Sequence, residues 1–174
     1  MKKIIVIGCP GSGKSTFSRK LHEITGIPLF HLDMMYWNSD RTAVSKSVFI
    51  ERLNTTMCKD EWIIDGNYDS TMELRFQACD TVIFLDYPLE TCLSGIIERR
   101  GKNRADMPWI EKEDEEDAEF IDFIKNYNVA NRPKVMALLN KYSHKNIYIL
   151  SKRDEAEELI SGFCRYNYFW SDFR

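Results

Sequence analysis

The 174 residues predict an α/β fold, a three-layer α/β/α arrangement around a parallel sheet. The first observation behind this is a short apolar, β-branched run, Lys2 to Ile7 (KKIIVI), that leads into Gly8, Cys9, Pro10, Gly11, Ser12, Gly13, Lys14 and Ser15. Those residues fill every required position of a GxxxxGKS phosphate-binding loop. The second is the helix-forming composition and apolar spacing of Ser15 to Glu23, which places the loop between a strand and a helix. The third is the alternation of short apolar strands with helical stretches along the rest of the chain, the pattern of a sheet covered on both faces.

The elements follow in order. A strand at 2–8 precedes the loop and a helix at 14–25 follows it, with Gly26 and Pro28 turning the chain into a second strand at 28–32 (PLFHL). A helix at 46–59 leads to the strand 61–65 (EWIID), where Gly66 makes the turn before a helix at 70–78. The strand 81–86 (TVIFLD) is followed by Pro88, a helix at 89–100 and the breaker Gly101. Helices at 113–127 and 131–143, a strand at 146–150 (NIYIL) and a helix at 154–164 complete the pattern.

Length and composition bound what surrounds the loop. At 174 residues the chain is expected to form a single domain, residues 1–174, with an acceptor-side insertion at about 33–60 and a lid at about 101–115. The formal net charge of −3 gives no electrostatic case for a DNA partner. No apolar run approaches a membrane span, and the N-terminus enters the first strand directly, so neither a membrane anchor nor a signal peptide is expected. The five cysteines are odd in number and lack a CxxC pair, which reads as reduced thiols of a cytoplasmic protein.

The loop composition states its chemistry. Glycines at 8, 11 and 13 allow positive φ and close approach, so successive N–H groups can face phosphate oxygens, and the helix that follows adds a partial positive charge. Gly8, Pro10, Gly11, Ser12, Gly13, Lys14, Ser15 and Thr16 form the expected nucleotide-binding set. Lys14 is expected on the β and γ phosphates of ATP and the Ser15 hydroxyl on Mg²⁺.

In open α/β sheets ligands sit beyond the carboxyl ends of the strands. That edge collects Asp33, Tyr36 and Trp37 after the second strand, Asp65, Asn67 and Tyr68 after the third, and Asp86 after the fourth. Phosphoryl transfer needs positioning, charge neutralisation and a carboxylate near the acceptor hydroxyl. Asp33 is the candidate for acceptor contact or general base, set against an ordinary helix-cap or turn role. Asp65 is the candidate that orients Mg²⁺ through water, set against a satisfied turn aspartate. Tyr36 and Trp37 suit stacking on an acceptor ring, whereas Trp62 at a strand start belongs to the core.

Arg99, Arg100, Lys102 and Arg104 form a charge run that reads either as a solvated face or as a mobile lid. In the lid reading Arg99 and Arg104 fold onto the phosphates as catalytic cations, and Arg100 and Lys102 stay at the surface. The acidic stretch Glu111 to Glu119 suits a helix start, and the aromatic tail Tyr166 to Phe173 suits packing on the fold or on a partner subunit.

The combination GCPGSGKST, HLDMMYW, WIIDGNY, TMELR, DTVIFLDYP, a helix ending in RR, and NRADMP resembles the adenylate-kinase-related proteins known as DNA topology modulation proteins, or FlaR-like, over about residues 3–150. The resemblance implies a P-loop NTPase fold of the nucleoside monophosphate kinase type with a short lid, a strand order of 2-3-1-4-5, and ATP and Mg²⁺ as ligands. It supplies no substrate. True adenylate kinases carry an arginine after the DGFP segment, where this chain has Asp69. They carry another early in the helix after the second strand, where this chain has nothing cationic before Arg41. AMP as acceptor therefore requires Arg75 to replace both. The adenine-facing arginine aligns with Gly95, so preference for ATP over GTP is not assured, although Arg99 is retained.

Two functions from different classes follow. The first is an ATP-dependent small-molecule kinase, nucleotide- or nucleoside-like in its acceptor, which the sequence does not identify; a small uncharged nucleoside or sugar-like alcohol fits at least as well as a nucleotide, with Asp33 as base in the manner of the shikimate- and gluconate-kinase-like enzymes that this strand end also resembles. The second is a non-catalytic, nucleotide-dependent regulator acting on DNA topology or on a protein partner.

Overall fold

A computed structural model describes residues 1–102, 104, 106–109 and 118–171, with side chains through 164. The chain runs β1 (Lys3–Gly8), α1 (Lys14–Thr25), β2 (Leu29–His31), α2 (Leu32–Tyr36), α3 (Lys46–Met57), β3 (Trp62–Asp65), α4 (Asp69–Ala78), β4 (Thr81–Leu85), α5 (Leu89–Arg99), α6 (Ala118–Ala130), α7 (Arg132–Lys141), β5 (Asn146–Leu150) and α8 (Arg153–Ser171). The five strands form one sheet in the order β2-β3-β1-β4-β5, with every pair parallel.

β1 explains why the sheet is covered on both faces. Ile4, Ile5, Val6 and Ile7 are all completely buried, so both sides of the pleat need apolar cover. Ile4 and Val6 join Phe17 and Leu21 of α1, Cys92 and Ile96 of α5, Tyr127 of α6 and Ile160 of α8 on one face. Ile5 and Ile7 join Leu53 of α3, Met72 and Phe76 of α4 and Leu139 of α7 on the other. Trp62, assigned to the core from sequence, is fully buried at the start of β3.

Two elements, α2 and α8, differ from expectation, and part of a third lies outside the described residues. α2 is a five-residue helix directly after β2, in a segment where no helix is predicted; it forms because Leu32 must be buried while Asp33 favours the first helical turn. α6 is described over Ala118–Ala130, and the positions 113–117 expected to open it lie outside the described residues, as does most of the acidic stretch. α8 continues past residue 164 to Ser171, and the side chains of the aromatic tail lie outside the description. The expected lid is described only at 101, 102, 104 and 106–109.

The phosphate loop packs on α5 through two glycines. A Cβ on Gly11 would lie 2.0 Å from the Cys92 carbonyl oxygen, and one on Gly95 would lie 2.1 Å from the Gly11 carbonyl oxygen. Both obstacles are backbone atoms that no side-chain rotation relieves. Gly95→Ala is expected to lower stability by about 1–3 kcal/mol in urea denaturation and to weaken binding of a fluorescent ATP analogue, because the loop must move off the helix. Gly162→Ala in α8, where a Cβ meets nothing within 4 Å, is the control and gains up to about 1 kcal/mol.

Candidate active site

The loop between β1 and α1 is held in an anion-accepting shape by its own backbone and by one side chain from β3's end. Gly11 and Gly13 have φ of 81° and 88°, and the Ser12 N–H donates to the Cys9 carbonyl at 3.1 Å. Asn67 grips the Gly8 peptide from both sides: its amide nitrogen donates to the Gly8 carbonyl at 2.7 Å and its oxygen accepts from the Gly8 N–H at 3.1 Å. Lys14 donates to the carbonyls of Gly8 at 2.9 Å and Cys9 at 3.1 Å. Burial lowers its pKa, so a phosphate would be a favourable exchange for those neutral acceptors.

At the ends of β2 and β3, His31 and Asp65 are register partners on neighbouring parallel strands, so their side chains leave the sheet on the same side. The His31 Nδ1 lies 2.8 Å from the Asp65 Oδ1, with side chains 12% and 4% exposed. Burial opposes protonation of His31, but the hydrogen bond and charge of Asp65 outweigh it and raise its pKa. The other carboxylate oxygen, Asp65 Oδ2, is buried with no hydrogen-bond partner among the described residues. A buried acceptor in that state is completed by an ordered water, so the residues fit the expected role of Asp65 toward a water of Mg²⁺.

A second carboxylate arrives from an unexpected direction. Asp106, 2% exposed, takes the Arg104 NH2 at 2.6 Å and Nε at 3.2 Å, and the Arg19 guanidinium lies 3.8 Å away. Burial pushes its pKa up, yet hydrogen bonds from Arg104 and from the Ser15 hydroxyl hold it well below the usual carboxylate range. Arg104, expected on phosphate, is therefore engaged with Asp106. Arg99 lines the same cavity with its guanidinium 5.7 Å from the centre of the Phe120 ring.

Asp33 faces the cavity from the first turn of α2, and the Tyr68 hydroxyl donates to its Oδ1 at 2.7 Å. Burial raises the Asp33 pKa despite the Tyr68 hydrogen bond and the Lys14 charge that oppose the shift. Tyr36 packs against Tyr68 at 4.8 Å and against Trp37 at 4.9 Å between ring centres. Trp37 meets Trp109 edge to face at 5.6 Å, and both line the cavity. This cavity of about 1470 Å³ also reaches Lys14, Ser15, Asn67 and Arg104, so the phosphate loop and Asp33 share one space.

Arg75 sits below that space rather than in it. It is fully buried, and its NH1 donates to the Gly66 carbonyl at 2.7 Å while its NH2 donates to the carbonyls of Asn67 and Tyr68. Spending its donors on backbone leaves it unable to replace a phosphate-gripping arginine on the acceptor. Asp86 is likewise drawn away, into a two-toothed ion pair with Arg132 at 2.8 and 2.7 Å.

A scan against family models finds no match to this chain, and a search of curated proteins finds none either. Among solved structures, the crystal structure of shikimate kinase from Aquifex aeolicus vf5 matches with a TM-score of 0.54 over 91% of this chain and 91% of that one, at 19% identity. With the strand order and the loop already in place, that match decides the architecture. The fold is the P-loop NTPase fold.

Within this P-loop fold the structure adds residues to which sequence assigned no role: His31 beside Asp65, Asp106 beside Ser15, and Trp109 against Trp37. His31 and Asp106 belonged to quoted segments, HLDMMYW and NRADMP, but their partners lie on other elements. For Asp106 the only local signal was an acid within a basic run. Arg75→Met is expected to cost about 3–5 kcal/mol in urea denaturation, since the buried guanidinium is lost and three carbonyls, that of Gly66 buried, lose their donor. Nucleotide binding should weaken in the same variant, because Asn67 then loses its hold on Gly8.

Proposed function

We propose that this protein is an ATP- and Mg²⁺-dependent phosphotransferase acting on a small, uncharged alcohol. The observation that carries the proposal is the sharing of one cavity by the phosphate loop and the half-buried Asp33 carboxylate. ATP lies with its phosphates on the N–H groups of Gly11 to Ser15, and Lys14 trades its loop carbonyls for phosphate oxygens. Mg²⁺, when bound, neutralises phosphate charge, and Ser15 with a water held by Asp65 would hold it there. His31 keeps the Asp65 carboxylate turned in the required direction.

The acceptor hydroxyl stands at Asp33. Its oxygen forms a bond to the γ-phosphorus as the bond from that phosphorus to the β–γ bridging oxygen breaks, and its proton passes to Asp33. ADP and the phosphorylated alcohol leave. Tyr68 aims the Asp33 carboxylate, and Arg99 with Arg104 supplies positive charge beside the phosphates. The match to a shikimate kinase structure supports the fold on which such a reaction runs. Arg75, turned to backbone, is not placed to grip an acceptor phosphate, which supports an uncharged acceptor over a nucleotide. Five cysteines outside any disulfide support a cytoplasmic setting. Among the described residues no helix is long and apolar enough to cross a membrane.

Asp33→Asn is expected to lower label transfer from γ-labelled ATP by about 10²–10⁴-fold while ATP binding, measured separately, changes little. Unchanged turnover would remove Asp33 from the mechanism. Because the base must be ionised and burial raises its pKa above 3.8, activity should rise with pH along a limb displaced upward from the ordinary aspartate range. The resemblance to DNA topology modulation proteins points to a regulator instead; retention on DNA that falls steeply with salt, with no label transfer to any alcohol, would favour it.

A further inference from the structure

We propose that the acceptor is an alcohol borne on a flat aromatic or heteroaromatic ring, seated in the corner that Trp37 and Trp109 make, with its hydroxyl at Asp33. The inference rests on the phosphotransferase reading above and narrows its acceptor.

The corner is built from two distant segments. Trp37 opens a small hairpin: it pairs with Ala43 across an antiparallel bridge, the Asn38 N–H donates to the Thr42 carbonyl at 2.9 Å, and the Arg41 N–H donates to the Asn38 carbonyl at 3.0 Å. At its tip Arg41 takes φ 66°, a left-handed conformation that glycine or asparagine adopts more readily. That backbone carries the Arg41 guanidinium over the Trp109 ring, 5.7 Å from its centre. The Trp37 and Trp109 planes stand 84° apart. A flat ring resting in the corner where the two perpendicular indoles meet offers its face to one and its edge to the other, and both are favoured aromatic geometries. Tyr68, backed by Tyr36 and Phe49, closes the side next to Asp33.

The polar inventory argues the same way. Both amide atoms of Asn67 are committed to Gly8, the Tyr68 hydroxyl is committed to Asp33, and Asp69 holds Asn131 and Lys134. At this corner a polyol would turn several hydroxyls toward the rings of Trp37, Trp109 and Tyr68, and each unmatched buried hydroxyl weakens binding. A flat ring with one reacting hydroxyl meets no such mismatch.

The test is isothermal titration calorimetry on the full chain with AMP-PNP and Mg²⁺ present. Benzyl alcohol, 4-pyridinemethanol and 2-naphthalenemethanol serve as ring alcohols, and xylitol, ribose and shikimate as non-planar ones. Saturable binding is expected for at least one ring alcohol and for none of the others. Trp37→Ala and Trp109→Ala should each weaken it about tenfold, with far-ultraviolet circular dichroism unchanged, and Trp37→Phe and Trp109→Phe should restore most of the affinity. Binding of a non-planar alcohol with the ring alcohols silent, no ring-alcohol binding, or ring binding unmoved by both alanine variants would each overturn the proposal. Ring-alcohol binding without label transfer from γ-labelled ATP would remove the kinase and leave the ring site standing. Label transfer to a polyol alone would do the reverse.

Discussion

The buried guanidinium of Arg75 holds the two halves of the site in one frame. Its hydrogen bonds to the carbonyls of Gly66, Asn67 and Tyr68 fix three consecutive peptides in the turn between β3 and α4. From that turn Asn67 reaches the first glycine of the phosphate loop and Tyr68 reaches the carboxylate of Asp33. Tyr68 has φ 43°, an uncommon conformation for a residue with a side chain, and it persists because both its carbonyl and its hydroxyl are held. The phosphate loop and Asp33 are thereby registered through one short segment and one buried side chain that lies outside the cavity.

Around this frame the charges are arranged in compensated sets. Lys14 is satisfied by loop carbonyls, His31 by Asp65, and Arg104 with Arg19 by Asp106. Buried charges are tolerable only when paired, and each of these pairs has a member that a triphosphate or a hydrated cation can claim. The site is thus polarised in advance, and binding exchanges partners rather than uncovering bare charge. The glycine contact between the loop and α5 has a similar purpose on the steric side, since it lets the backbone that will face phosphate rest directly on a helix.

Much of the fold was legible in the chain because its signals are local. Ile4 to Ile7 announce a strand buried on both faces, and the glycines of the phosphate loop announce positive φ. The strand order came from resemblance, and the sheet observed has it. The donor residues were legible for the same reason: their chemistry is written in eight adjacent positions. α2 was missed because five residues are too few for helical periodicity to register.

The acceptor side was only partly legible, because its geometry depends on pairs of residues far apart in the chain. Sequence alone determined the strand, loop and helix that cradle phosphate, the two carboxylates at strand ends, and the lack of an arginine at two acceptor positions. Only the tertiary structure decided that Arg75 faces backbone, that Asp106 comes to rest beside Ser15, and that His31 and Asp65 share a register. It also brought Trp109 to Trp37. Backbone propensity and loop chemistry act between neighbours in sequence, whereas burial and side-chain pairing act between neighbours in space, and the parallel sheet makes those two sets different.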